Sequence, residues 1–309
     1  QDFIHIFDDT SYCNVLQELD TIQDFIDYLD ARKSLFLEGT VFAESENDIL
    51  AQHIKGVIKG NPHNLQDISK GHSGILFEGG LFDELICSSD YLNWRKRMEK
   101  SYFWDQLLQK TFFFIENGLS EYTSPPSIQE QSVLFKRMAR ENRFHRYCLS
   151  EGFLTFLSTI DPNFRGTRVI LNTSESDSCY LLFLLPRKEF MSDESYRAVR
   201  KQMLMDYCTI LKAEYPEISH IIGVAHESNE GIYTSEDFVY LDATEWSAEM
   251  QTEALQLKME YEEHGLLKNR AMTPRTYLPS HPVMKGRERN APCPCGSGKK
   301  FKKCCGRYC

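Results

Sequence analysis

The residues best placed for chemistry are four thiols near the C-terminus, Cys293, Cys295, Cys304 and Cys305, spaced C-x-C-x8-C-C around the turn Gly296-Ser297-Gly298. One hairpin with this spacing supplies a complete tetrahedral ligand set. Thiolates are soft ligands suited to Zn, Fe–S or Cu(I), and a closed S4 set with no redox partner most often holds structural zinc, so one zinc ion is expected. Four thiolates leave no position for a reactive water, which argues against a catalytic metal. So few residues surround the ion that metal binding would supply the folding energy of the segment. Cys309 is either a replacement for Cys305 as fourth ligand or a free terminal thiol. A disulfide-bonded tail would need an oxidising compartment. Residues 1–9 are acidic and lack the continuous apolar run of a secretory leader, so reduced thiols and a cytoplasmic location are expected. The sequence begins at Gln1 rather than Met, which fits a processed chain or a piece of a longer one.

Cys293, Cys295, the Gly296-Ser297-Gly298 turn, Lys299-Lys300, Phe301 and the closing Cys304-Cys305 together resemble the SEC-C motif, a small zinc-binding tail first recognised on the SecA translocation ATPase. That family takes His or Cys as fourth ligand, and Cys305 matches the Cys form. The resemblance implies docking to a protein partner or the ribosome, with Lys299, Lys300, Phe301, Lys302 and Lys303 as the contact surface. It covers about a twentieth of the chain and leaves the body unrecognised.

Charge sets this tail apart. Residues 285–309 hold eight Lys and Arg against the single acid Glu288, a net +7, whereas the whole chain carries −10, leaving −17 on residues 1–284. An acidic body disfavours nonspecific nucleic-acid binding, and the tail presents a compact cationic patch. The same opposition allows the tail to fold back on its own body. No apolar stretch approaches the roughly 20 residues of a membrane helix. With 309 residues, 41% of them hydrophobic, the chain is long enough for two cores plus the tail.

The elements that position these residues read as an α+β chain: a mostly helical region over 1–160, a β-β-α-β-β-α sandwich over 161–265, a linker over 266–291 and the zinc knuckle over 292–309. Phe3 to Phe7 alternates like a short strand, and Tyr12 to Leu19 and Ile22 to Phe36 read as helices. From Glu38 to Ser89 loops are expected around one helix over 46–58, with His63 and His72 as solvated loop side chains. Asp90 to Asn117 reads as one long helix, capped by Asp90, ended by Gly118 and carrying Trp94, Met98, Phe103, Trp104, Leu107, Leu108 and Phe112 as a core stripe. Helices over 128–141 and 144–158 follow. Strands over 168–172 and 180–185 form a hairpin, a helix over 193–214 leads to strands over 219–225 and 238–241, and a helix over 248–264 ends the sandwich, with helices expected on one face of the sheet. Cys13, Cys87, Cys148, Cys179 and Cys208 lie singly among apolar residues, the usual setting of buried thiols.

Within the sandwich, His220, His226, Glu227, Asp237 and Asp242 stand at strand ends where an α/β site would lie, and Arg168 and Arg187 are placed to meet a phosphate. None completes a catalytic constellation: there is no Walker loop, G-x-G-x-x-G, nucleophile elbow or H-E-x-x-H. The sequence therefore points to a zinc-binding docking protein with no catalytic motif. The alternative is a nucleic-acid-acting component of defence or repair, its lysines gripping phosphate and Phe301 and Tyr308 stacking on bases.

Overall fold

The structure is a computed structural model and describes residues 4–117, 128–161, 163–171, 173–187, 190–228 and 235–273, with residues 290 and 300 besides. These residues fall into two compact units divided between residues 99 and 100.

In the first unit α1 (Asp9–Glu18), α2 (Ile22–Glu38), α3 (Glu46–Ile58), α4 (Asn64–Ser69), α5 (Leu81–Cys87) and α6 (Ser89–Met98) surround β1 (Thr40–Ala43) and β2 (Gly74–Phe77). Short polar residues start the helices by taking up orphan amides: Asp8 accepts from Ser11 N, Thr21 from Asp24 N and Ser88 from Tyr91 N. Tyr28, Leu35, Leu50 and Leu65 are fully buried in the core. The nearly buried pair Arg32–Glu46 (2.8 Å) shares its carboxylate with the Tyr28 hydroxyl. His53 is buried with no partner for Nδ1, and burial pushes its imidazole down to about 4.

Several expectations change here. Residues 4–7 form no strand, since among the described residues no strand pairs with them, and Ile4 and Ile6 stay exposed; Phe3 lies outside the described residues. The stretch read as loops contains β1, α4, β2 and α5, and β1 pairs parallel to β2 from Thr40↔Gly74 to Ala43↔Phe77. Such pairing joins residues about 34 apart, which local patterning does not register. The long helix divides into α6, a 3₁₀ turn over Glu99–Ser101 and α7 (Tyr102–Asn117), and its cap is Ser88 rather than Asp90. Gly118 lies outside the described residues. Of the expected stripe, Met98, Trp104, Leu107 and Leu108 are buried, Trp94 and Phe103 are half-buried, and the Phe112 side chain lies outside the described residues. His63 and His72 are exposed, but so are Cys13 and Cys87, and Cys148 is half-buried. Only Cys179 and Cys208 are buried thiols among the described cysteines.

The second unit is built on a five-stranded sheet of order β6-β5-β4-β3-β7, with β3 (Gly166–Ile170), β4 (Ser178–Pro186), β5 (His220–Ser228), β6 (Glu236–Asp242) and β7 (Arg270–Thr273). β3–β4 and β5–β6 are antiparallel neighbours, β4–β5 are parallel through α10 (Asp193–Glu214), and β7 adds parallel to β3. Both faces are covered, which corrects the expectation of helices on one face. Tyr180, Leu182 and Leu184 pack against α7, α8 (Ile128–Ala139) and α9 (Arg143–Thr159). Cys179, Leu181 and Phe183 pack against α10 and α11 (Ala248–Glu263). A strand apolar on both faces explains why β4 reads as a continuous run rather than an alternation. Trp104 meets Tyr180 edge to face (centroids 5.0 Å, 88°). Gly223 on β5 makes room for the side chains of Leu204 on α10 and Val239 on the neighbouring β6, since a Cβ there would fall 2.6 Å from Val239 Cγ2 and 2.9 Å from Leu204. Residues 270–273, read as linker, form the edge strand, and Leu266 O accepts from Tyr207 Oη (2.5 Å). No described helix is long and apolar enough to cross a membrane.

Candidate functional site

Parallel strands followed by a helix gather functional side chains at their carboxyl ends, and here the ends of β4 and β5 and the start of the antiparallel β6 bring Arg187, Glu227 and Asp237 together. Arg200, fully buried on α10, donates through Nε to Asp237 Oδ2 (2.7 Å) and through Nη1 and Nη2 to Ser235 O and Oγ (3.0 Å each). Arg197, one turn earlier, donates Nε and Nη2 to Asp237 Oδ1 (3.0 and 2.7 Å). Ser235 Oγ donates to Glu227 Oε2 (2.9 Å), and Glu227 Oε1 lies 3.5 Å from Arg187 Nη1, which also pairs with Asp193. Among the described residues each guanidinium of the cluster is matched by a carboxylate, so the cluster ties β6 to α10 and leaves no unpaired charge there. Arg187 is thus held internally, contrary to a phosphate-binding role. His226 turns to the other face, where its ring lies edge-on to Phe153 and its Nδ1 is 3.6 Å from Glu236 Oε1. Burial would raise the Glu236 carboxyl, but His226 and Lys110 hold it below its ordinary value.

His220 and Asp242 lie at the opposite end of the sheet. Arg137 Nη2 is 3.0 Å from His220 Nε2, and a guanidinium only donates, so Nε2 accepts. Nδ1 then faces Tyr240 Oη (2.9 Å), whose hydroxyl donates to Asp242 Oδ2 (3.3 Å). Beside them Glu141, which sequence reasoning did not single out, is buried in the loop between α8 and α9. It accepts from Ser174 N (2.7 Å). Burial pushes its carboxyl up to about 7 against the opposing pull of Ser174 and the Tyr180 hydroxyl. Asp105 binds Arg143 (2.8 Å) and Arg146 (2.6 Å) on α9. The legible signal for such a missed residue is an arginine at helical spacing among apolar positions, as Arg200 stands between the buried Tyr196 and Leu204 of α10.

Arg168 differs from these. It sits on β3, level with Leu182 and Ala271, and lines a cavity of about 360 Å³ formed with the end of α9 and β7. Among the described residues no group of three His, Cys, Asp or Glu is placed to hold a metal. The thiols Cys293, Cys295, Cys304 and Cys305, with Cys309 and the contact residues Lys299, Phe301, Lys302 and Lys303, lie outside the described residues, whereas Lys300 is described and exposed.

Residues 289–307 match the family model of the SEC-C motif. The chain is 43% identical over 61 residues to protein translocase subunit SecA of Halothermothrix orenii, a match covering 19% of this chain and 7% of that protein. It is 66% identical over 29 residues to SecA of Dehalococcoides mccartyi (9% and 3%) and 90% identical over 19 residues to the uncharacterized protein YccF of Bacillus subtilis (6% and 5%). The chain therefore spans less than a tenth of the length of these relatives. No solved structure matches it.

Proposed function

We propose that this chain is a zinc-binding docking protein whose SEC-C motif holds one structural zinc through Cys293, Cys295, Cys304 and Cys305. The folded knuckle then presents Lys299, Lys300, Phe301, Lys302 and Lys303 to an acidic surface of a protein partner or the ribosome. The observation that carries this reading is the complete set of thiols inside the matched segment 289–307. Four soft donors fit zinc, and bound zinc would supply charge that holds the thiols as thiolates and cross-links a segment too short for a core. A reducing, cytoplasmic compartment keeps those thiols available. Metal analysis of the full chain should give one zinc per chain, lost on Cys295→Ser. Full retention in that variant would overturn the ligand set.

The net +7 of residues 285–309, with Phe301 and Tyr308 among the lysines, also supports nucleic-acid contact. Salt separates the readings. Four lysine–phosphate contacts would weaken oligonucleotide binding roughly fiftyfold between 50 and 200 mM salt. Saturable binding to ribosomes or to a single protein that survives this change, and is lost when the four lysines become Gln, supports docking. A steep loss shared with any oligonucleotide supports the second reading.

A further inference from the structure

We propose that the cavity at the end of α9 binds a small ligand carrying one carboxylate or phosphate on an apolar or aromatic body, with Arg168 as the residue that takes the anion. Arg168 faces the same side of the sheet as Ile170, a side otherwise filled by Leu182, Leu184 and the aromatic residues of α7 and α9. A charge in that position is unfavourable unless something compensates it. Arg137, Arg187, Arg197 and Arg200 close ion pairs, Arg165 donates to the Gly265 carbonyl (3.3 Å), and Arg270, which also lines the cavity, is held in a two-pronged pair by Glu214 (2.9 and 2.6 Å). Arg168 closes none among the described residues. Its Nη1 donates to the neutral Thr273 Oγ1 (3.2 Å), its buried Nε has no acceptor, and loss of water around it lowers its affinity for a proton. A buried donor left without an acceptor is costly, more so when charged.

The space before it can supply that acceptor. The cavity of about 360 Å³ falls within the range of small-molecule sites and is walled by Phe156, Ile160, Phe164 and Ala271, with Asn269 at its rim. Asp161, the acid among the lining residues, is exposed and already accepts from Asn163 N and Nδ2 (2.9 and 3.0 Å). Among the described residues Arg168 is therefore the cavity's charge without an ion-pair partner, and aromatic walls beside a guanidinium suit an anion joined to a ring. A planar guanidinium takes carboxylate and phosphate alike through paired N–H donors, so the two chemistries are separated by titration.

The test is calorimetric titration of the full chain with phenyl phosphate, benzoate, inorganic phosphate and neutral benzyl alcohol. Saturable binding of one aromatic anion is expected at about millimolar strength, with inorganic phosphate weaker and benzyl alcohol silent. Whether phenyl phosphate or benzoate binds assigns the anion. Arg168→Met should weaken binding at least tenfold. Arg168→Lys, which keeps the charge but not the fork, should weaken it severalfold. Ala271→Leu fills the cavity, leaves the charge in place and should also abolish binding, so the test stands even if Arg168→Met fails to fold. An anion held instead by the basic tail would be indifferent to both Arg168→Met and Ala271→Leu. That indifference, or no saturable heat from either aromatic anion, overturns the proposal.

Discussion

Glu141 makes stability of the second unit depend on pH in the direction opposite to an ion-paired carboxylate. Its carboxyl is buried and raised from 4.5 to about 7 in the folded chain. The folded state therefore holds a proton that the unfolded state has released between those two pH values. Stability from this group is fully present below about pH 4.5 and is lost as pH rises through about 7. At about 1.4 kcal/mol per pH unit the loss is on the order of 3 kcal/mol for this group. The neighbours that set the value are Ser174, whose amide donates to Oε2, the buried Tyr180 hydroxyl, and Glu175, whose charge adds to the rise. Glu141→Gln keeps an acceptor for Ser174 N and removes the titration. Urea unfolding is followed by the fluorescence of Trp104, which packs against Tyr180, after Trp94 and Trp246 are replaced by Phe. Between pH 5 and pH 8 the parent should lose about 3 kcal/mol more than the Gln variant. Equal pH slopes would show that Glu141 does not take up a proton in the folded state, and the reasoning from burial would fail.

Asp237→Asn leaves Arg197 and Arg200 facing a neutral partner beneath β6. Breaking a buried pair from one side costs about 3–5 kcal/mol, so the Trp104-reported unfolding midpoint should fall sharply, and an unchanged midpoint would refute the latch. Gly223→Ala forces a methyl against Val239 and Leu204 and should destabilise by about 1–3 kcal/mol in the same assay. Cys295→Ser should remove zinc from the full chain while leaving the Trp104 transition within about 0.5 kcal/mol, the outcome expected if the segment over 292–309 folds independently of the second unit. A large fall in that transition would show that the knuckle is packed into the second unit.

Much of this chain is legible from local chemistry. The thiol spacing at Cys293, Cys295, Cys304 and Cys305 identifies the SEC-C motif because the whole pattern lies within one short run of sequence. The starts of α2, α3 and α10 follow from Thr21, Ser45 and Ser192, whose capping lies within three residues of sequence. The order β-β-α-β-β-α is readable because each element carries its own periodicity. Partnership across the chain is different. That β1 finds β2, that 270–273 becomes the fifth strand, and that α7 to α9 cover the second face of the sheet depend on surfaces contributed by residues far apart in sequence. Charge shows the contrast most clearly: Arg168, Arg187 and Arg200 are the same residue type, and only the fold sets Arg200 against Asp237, Arg187 against Asp193 and Glu227, and Arg168 beside a cavity whose acid, Asp161, forms no ion pair with it. A side chain's chemistry is written in its identity, but the state of its charge is decided by what the folded chain brings within about 4 Å of it.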